Sequence, residues 1–147
     1  MMNLYKLRKE LERDEGIKYE IYLDHLGNPT LGIGHLITDN DPEYETDIGT
    51  KIDNDRVKEA FDSDIEIVLL DCELLYDQFE HLPEEVQLII ANMMFNMGYT
   101  RLSKFKKMKY GVDTKDWNRA AEEMINSRWY NQVTKRADRL VTRMKNV

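Results

Sequence analysis

A chain of 147 residues is one domain's worth of polypeptide, long enough to bury most of its apolar surface without disulfide or metal staples. At 33% charged and 41% hydrophobic residues it belongs with globular rather than disordered proteins, and no apolar run approaches the roughly 20 residues of a membrane span. The net charge of -7 is unevenly spread: residues 39–85 carry three basic and seventeen acidic side chains, residues 99–147 thirteen and five.

Near the N-terminus Leu4, Leu7 and Leu11 recur at helical spacing, and Gly16 suits the left-handed residue that ends such a helix, which puts Glu15 at a helix C-terminus. Ile17, Tyr19, Ile21 and Leu23 then alternate with Lys18, Glu20 and Tyr22 in the two-residue period of a half-buried strand, and Asp24 falls at its end. Leu26-Gly27-Asn28-Pro29 supplies a turn, and Thr30 to Gly34 reads as the return strand. A helix followed by a hairpin thus brings two carboxyls and a hydroxyl, on different elements, to positions from which they could flank a bound molecule.

The polar segment Thr38 to Thr50 reads as a loop leading to a short third strand near Ile52. Asp53 then caps a helix whose apolar stripe Val57, Phe61, Ile65, Val68, Cys72, Leu75, Phe79 runs for some 25 residues, with its acidic side chains on a solvated outer face. Pro83 opens another helix, with Glu84 and Glu85 in its first turn and Val86, Ile89, Ile90, Met93, Met94 and Met97 before Gly98; lacking charge beyond that turn, it is expected to be buried all round.

Phe105 and Met108 mark a short basic helix that Tyr110-Gly111 is expected to break. Asp113 or Thr114 caps the next, which turns Trp117, Ala120, Ala121, Met124 and Ile125 inward. Ser127 starts a short turn bearing Trp129 and Tyr130. Thr134 caps the last helix, with Ala137, Leu140, Val141 and Met144 facing in and Arg136, Arg139 and Arg143 facing out.

Three motifs carry a family resemblance. Asp14-Glu15-Gly16, Tyr22-x-Asp24 and Thr30-x-Gly32-x-Gly34-His35 form the first, Asn92-Met93-x-Phe95-x-Met97-Gly98 the second, and Ser127-Arg128-Trp129-Tyr130-Asn131-Gln132 with Arg136-Ala137-x-Arg139 the third. In that order the chain resembles the lysozymes of T-even bacteriophages. The resemblance implies an α+β, predominantly helical fold of two lobes. A small β-hairpin lobe takes about 14–55, a connecting helix about 54–80, and a helical C-terminal lobe about 81–147 plus the first helix.

It further implies that Glu15 is the general acid that protonates the glycosidic oxygen, that Asp24 directs a water to the opposite face of the sugar, and that Thr30 helps hold that water. Leu36 and Phe95, with His35 nearby, match substrate contacts; Arg136 is expected to approach Glu15 and Arg139 to pair with Asp14. An arginine beside Glu15 favours its ionised form, so substrate is expected to displace Arg136 or expel water. Positions that match polar family contacts carry Met108 and Glu123, Pro29 stands where an aromatic residue is usual, and the loop before Ile52 is short.

The partner so implied is bacterial peptidoglycan. No metal or cofactor is expected, since His25, His35 and His81 lack ligand spacing and no phosphate-cradling glycine loop is present. A helix-turn-helix reading of the basic C-terminal helices is opposed by the acidic middle segment, so no nucleic acid is expected either. Neither membrane insertion nor a secretory signal is expected, so synthesis should be cytoplasmic, with action on the wall after release; a monomer is expected. Two other readings stay open: a wall-binding or virion structural protein of the same fold without turnover, and a hydrolase of another glycan such as chitin.

Overall fold

The computed structural model describes residues 2–147. In chain order the elements are α1 (Leu4–Glu15), β1 (Lys18–Leu23), β2 (Pro29–Gly32), β3 (His35–Leu36), α2 (Asn54–Leu75), a 3-10 turn (Phe79–His81), α3 (Glu84–Leu102), α4 (Lys106–Asp113), α5 (Trp117–Ile125), α6 (Arg128–Gln132) and α7 (Thr134–Lys145). The architecture is α+β and mostly helical. The chain gathers into two compact units, Arg8–Ile67 in one and the N-terminal residues through Leu7 with Val68–Val147 in the other.

In the first unit the three strands form an antiparallel sheet in the order β1-β2-β3, with Tyr22 opposite Thr30 and Leu23 opposite Pro29. Proline lacks the donor that a central strand requires, and it is tolerated here as the first residue of β2. The expected alternation along β1 fails. Only Ile21 is buried, while Ile17, Tyr19 and Leu23 stay exposed, because the register slips between Lys18 and Tyr22 and breaks the two-residue period.

The third strand is His35–Leu36, not a segment near Ile52. The chain around Ile52 instead makes a single bridge, Glu20 with Lys51, extended by the Ile21 N–H donating to the Thr50 carbonyl at 2.9 Å and the Ile52 N–H to that of Tyr19 at 3.0 Å. Leu11, Ile21, Leu31, Val57, Phe61 and Ile65 are among the buried side chains of this unit, each worth about 1.5 to 3 kcal/mol for its removal from water.

Asp53 caps α2 as expected, its Oδ1 accepting the Arg56 N–H at 2.8 Å. The helix runs for 22 residues, about 33 Å, and stops at Leu75. Tyr76 is buried just past that end, and the 3-10 turn rather than the helix buries Phe79, so the apolar spacing outlasts the helix. Cys72 is buried on the inward stripe, and burial pushes its thiol well above the ordinary range, which makes it an inert core residue.

In the second unit α3 is buried on nearly every side from Val86 to Met94, as its lack of charge implied, and Gly98 at φ 79° interrupts its helical course before it resumes to Leu102. Gly111 does not break α4. It lies inside the helix because a Cβ there would stand 2.7 Å from the Ala120 amide nitrogen, so glycine lets α4 and α5 touch backbone to backbone.

The cap of α5 is Asp116, whose Oδ1 accepts the Arg119 N–H at 3.1 Å, not Asp113 or Thr114. Ser127 caps α6, accepting the Tyr130 N–H at 3.2 Å. Thr134 is the first residue of α7 rather than its cap, and its hydroxyl donates to the Tyr130 carbonyl at 2.9 Å. Ala137, Leu140, Val141 and Met144 are buried along α7, but so is Arg136, which sequence spacing placed outside. Its Nε donates to Asn92 Oδ1 at 2.8 Å, a partner on α3 that helical periodicity alone does not reveal.

Candidate active site

The hairpin turn fixes Asp24. Its backbone N–H donates to the Asn28 carbonyl, and Gly27, at φ 83°, donates back to the Asp24 carbonyl, both at 3.0 Å. This turn aims two amides at the side chain: Asp24 Oδ1 accepts the N–H of Leu26 at 2.9 Å and that of Asn28 at 2.8 Å. The Asn28 amide is the chief cause that holds the Asp24 carboxyl below its usual range, so it stays ionised through neutral pH.

Thr30 is buried one residue inside β2, and its hydroxyl donates to the Asn28 carbonyl at 2.8 Å. With that proton committed, its oxygen is left with only acceptor capacity. Asn28 therefore binds both residues. The signal for this turn in the sequence is Asp24 itself, since an aspartate side chain commonly accepts the N–H two residues on, here that of Leu26.

Glu15 closes α1, where Gly16 at φ 76° donates to the Glu12 carbonyl at 2.9 Å and turns the chain toward β1. The Glu15 carboxyl lies over the hairpin backbone at Gly34, with Oε1 2.8 Å from where a Cβ on that residue would stand. Gly34 also has φ 64°, so two separate reasons require glycine there. Tyr22 lies near both carboxyls: burial first, then the charge of Glu15, then that of Asp24 raises its phenol above the usual range, while an N–H from Gly34 to its oxygen works the other way.

His35 is held by two carboxylates, its Nδ1 2.8 Å from Asp64 on α2 and its Nε2 3.1 Å from Asp41. Arg56 continues the chain of charges to Asp41 and to Glu43 at 3.0 and 2.8 Å. Contact of these ring nitrogens with a sugar would first require one of the two bonds to break.

Burial opposes the imidazolium, but Asp64 and then Asp41 outweigh it and raise the His35 pKa. A raised folded pKa gives stability that is fully present below the unfolded value near 6.5 and lost as pH climbs through the folded value. His35→Asn is therefore expected to cost about 1 to 2 kcal/mol near pH 5.5, with a penalty that shrinks on going to alkaline pH, as urea unfolding at the two pH values will show.

Leu36 is half exposed at the end of β3, and Phe95 is partly exposed on α3 in the other unit. Asp14 has a buried side chain beside the Arg13 guanidinium at 4.0 Å, and Arg139 lies exposed on α7. In the second unit Met108 and Glu123 come together in a groove of about 500 Å³ with Lys104, Lys107 and Ser127. Among the described residues no cluster of three His, Cys, Asp or Glu could hold a metal, and no helix is long and apolar enough to cross a membrane.

A mostly helical chain whose one small sheet presents a turn-held aspartate and abuts a helix-terminal glutamate belongs to the class of lysozyme-like hydrolases. More narrowly, this chain belongs to the phage lysozyme family, which it matches over residues 12–146. It is 34% identical to the probable T4-type lysozyme 2 of Dictyostelium discoideum, over 92% of this chain and 91% of that one. It is also 28% identical to the peptidoglycan hydrolase gp36 of Pseudomonas phage phiKMV, over 97% of this chain and 15% of that protein. With the pre-baseplate central spike protein Gp5 of Enterobacteria phage T4 it shares 26% identity, over 88% of this chain and 26% of that protein.

Proposed function

We propose that this protein is a muramidase that hydrolyses the β-1,4 bond between N-acetylmuramic acid and N-acetylglucosamine in bacterial peptidoglycan, with inversion at the anomeric carbon. The observation that carries the reading is the pair of carboxyls on separate elements of one compact unit, Asp24 fixed in its ionised form by backbone amides and Glu15 at the end of α1 against Gly34. A glycosidic oxygen leaves only when protonated, so one carboxyl has to give a proton while the other stays charged.

Glu15 donates its proton to the leaving oxygen. Asp24 accepts one hydrogen of a water on the far face of the sugar, and Thr30, its own proton tied to Asn28, accepts the other. The water lone pair is then left to attack the anomeric carbon. Inversion needs the two carboxyl groups roughly 6.5 to 9.5 Å apart so that this water fits between them and the sugar. Leu36, His35 and Phe95 are the proposed substrate contacts, and Arg136 and Arg139 the proposed partners of Glu15 and Asp14. The enzyme is proposed to work as a monomer without a cofactor, released from the cytoplasm that makes it to act on the wall.

The similarity to a spike protein favours a second reading, a structural component that keeps this fold without turnover. Digestion of purified peptidoglycan decides between them. New reducing ends on N-acetylmuramic acid, released first as the α-anomer, are the expected result; reducing ends on N-acetylglucosamine, or no products at all, overturn the proposal. A parallel digestion of chitin oligomers identifies a hydrolase of the other glycan.

A further inference from the structure

Helix α2 carries apolar side chains on two faces. The inward one, with Val57, Phe61, Ile65, Val68 and Cys72, is buried in the core. The other consists of Ile67, Leu70 and Leu74, which stay 57%, 67% and 66% exposed. At about 100° per residue these three fall within one sector of about 60°, roughly opposite the buried stripe. Single exposed leucines are ordinary on a protein surface. Three large apolar side chains spaced by three and then four residues are the a, d, a positions of a coiled-coil seam.

The residues beside that seam are acidic. With Ile67 at a, Glu66 and Glu73 take g and Asp71 takes e, the positions whose charges choose a coiled-coil partner. Toward the N-terminus of the helix the seam continues through exposed Ser63 at d, where the surface is hollowed into a groove of about 400 Å³ lined by Glu59, Ser63 and Glu66 among others. Arg56 bonds Glu59 at 2.9 Å, which leaves recognition to Glu66, Asp71 and Glu73.

This charge pattern decides what can lie on the seam. A second copy set parallel would bring Glu66 against Asp71, and one set antiparallel would bring Glu66 against Glu73, so self-pairing opposes carboxylate to carboxylate either way. An anionic membrane surface is repelled by the same groups. We propose that the outer face of α2 is the docking site for one amphipathic helix of another protein, with apolar side chains at a and d and Lys or Arg at e and g. The site goes beyond the hydrolase reading and does not depend on it. A seam of about two heptads is a small interface, so the association is transient and weakens as salt screens the flanking charges.

The probe is a fluorescein-labelled peptide of about three heptads with Leu at a and d and Lys at e and g; its twin carries Glu at e and g. In titrations of the full chain followed by fluorescence anisotropy, the lysine peptide is expected to bind at least about tenfold more tightly than the glutamate peptide. Leu70→Gln with Leu74→Gln is expected to weaken that binding by about tenfold or more, and Glu66→Lys with Glu73→Lys to reverse the order of the two peptides. The leucine positions face solvent, so their double variant is expected to keep the parental thermal midpoint within about 3 °C and parental activity on bacterial walls.

Binding of the lysine peptide that ignores the leucine replacements is general attraction to an acidic chain and overturns the inference. Equal affinity for the two peptides, or no binding at about 1 mM, does the same. A parental dimer in sedimentation equilibrium that Leu70→Gln dissociates puts a second copy on the seam and overturns the choice of partner.

Discussion

Glu15→Gln is expected to slow clearing of a bacterial-wall suspension by about 100- to 10,000-fold, the usual worth of a positioned proton donor. Glutamine has nearly the shape of the acid and the same reach across Gly34, where the carboxyl already sits 2.8 Å from a hypothetical Cβ, so the end of α1 has no steric reason to move. Asp24 and Thr30 are tied to Asn28 rather than to Glu15 and keep their geometry. The loss should fall on kcat with little change in KM, and the thermal midpoint should stay within about 3 °C of the parent. A variant that retained more than about a tenth of parental activity would remove Glu15 from the donor role.

The largest effect on stability is expected at Gly111→Val, about 3 kcal/mol destabilising by chemical denaturation. Replacing a helical glycine ordinarily gains up to about 1 kcal/mol of helix propensity, less for a β-branched residue. Here the added carbon would meet the Ala120 amide nitrogen at 2.7 Å and its Cα at 3.0 Å, and backbone cannot rotate aside as a side-chain tip can. α4 and α5 would have to separate, and Met108, Val112, Ala120 and Ala121, all fully buried along them, would lose contacts together. Even Gly111→Ala should destabilise; a gain in stability from that alanine would show that the two helices do not meet as described.

Where one residue acts through its own spacing, the chain could be read directly. Glu15 before a helix-ending glycine, Asp24 at the close of a strand and Thr30 just past a turn all hold the local positions their neighbours imply, and Asp53 caps the helix it precedes. Partners distant in sequence were less legible. Arg136 has the charge of a surface residue and the pattern of an outward face, and only the Asn92 side chain, 44 residues away, accounts for its burial. Gly111 looked like a helix breaker because its reason for being glycine lies in α5. Tyr22 was assigned to the outward half of an alternating strand, and the slip in register that disturbs this alternation leaves no mark in the order of residue types.

Asn28 and Pro29 together have a consequence for the lifetime of the protein. Asparagine deamidates when the amide nitrogen of the following residue attacks its side chain and closes a cyclic imide, and a proline in that place has no N–H with which to do so. The residue whose backbone and side chain brace Asp24 and Thr30 is thus shielded from the commonest form of chemical ageing. After weeks at mildly alkaline pH, peptide mapping should find Asn28 intact while exposed asparagines such as Asn40 and Asn126 accumulate aspartate. Pro29 thus lends durability to the turn that holds Asp24.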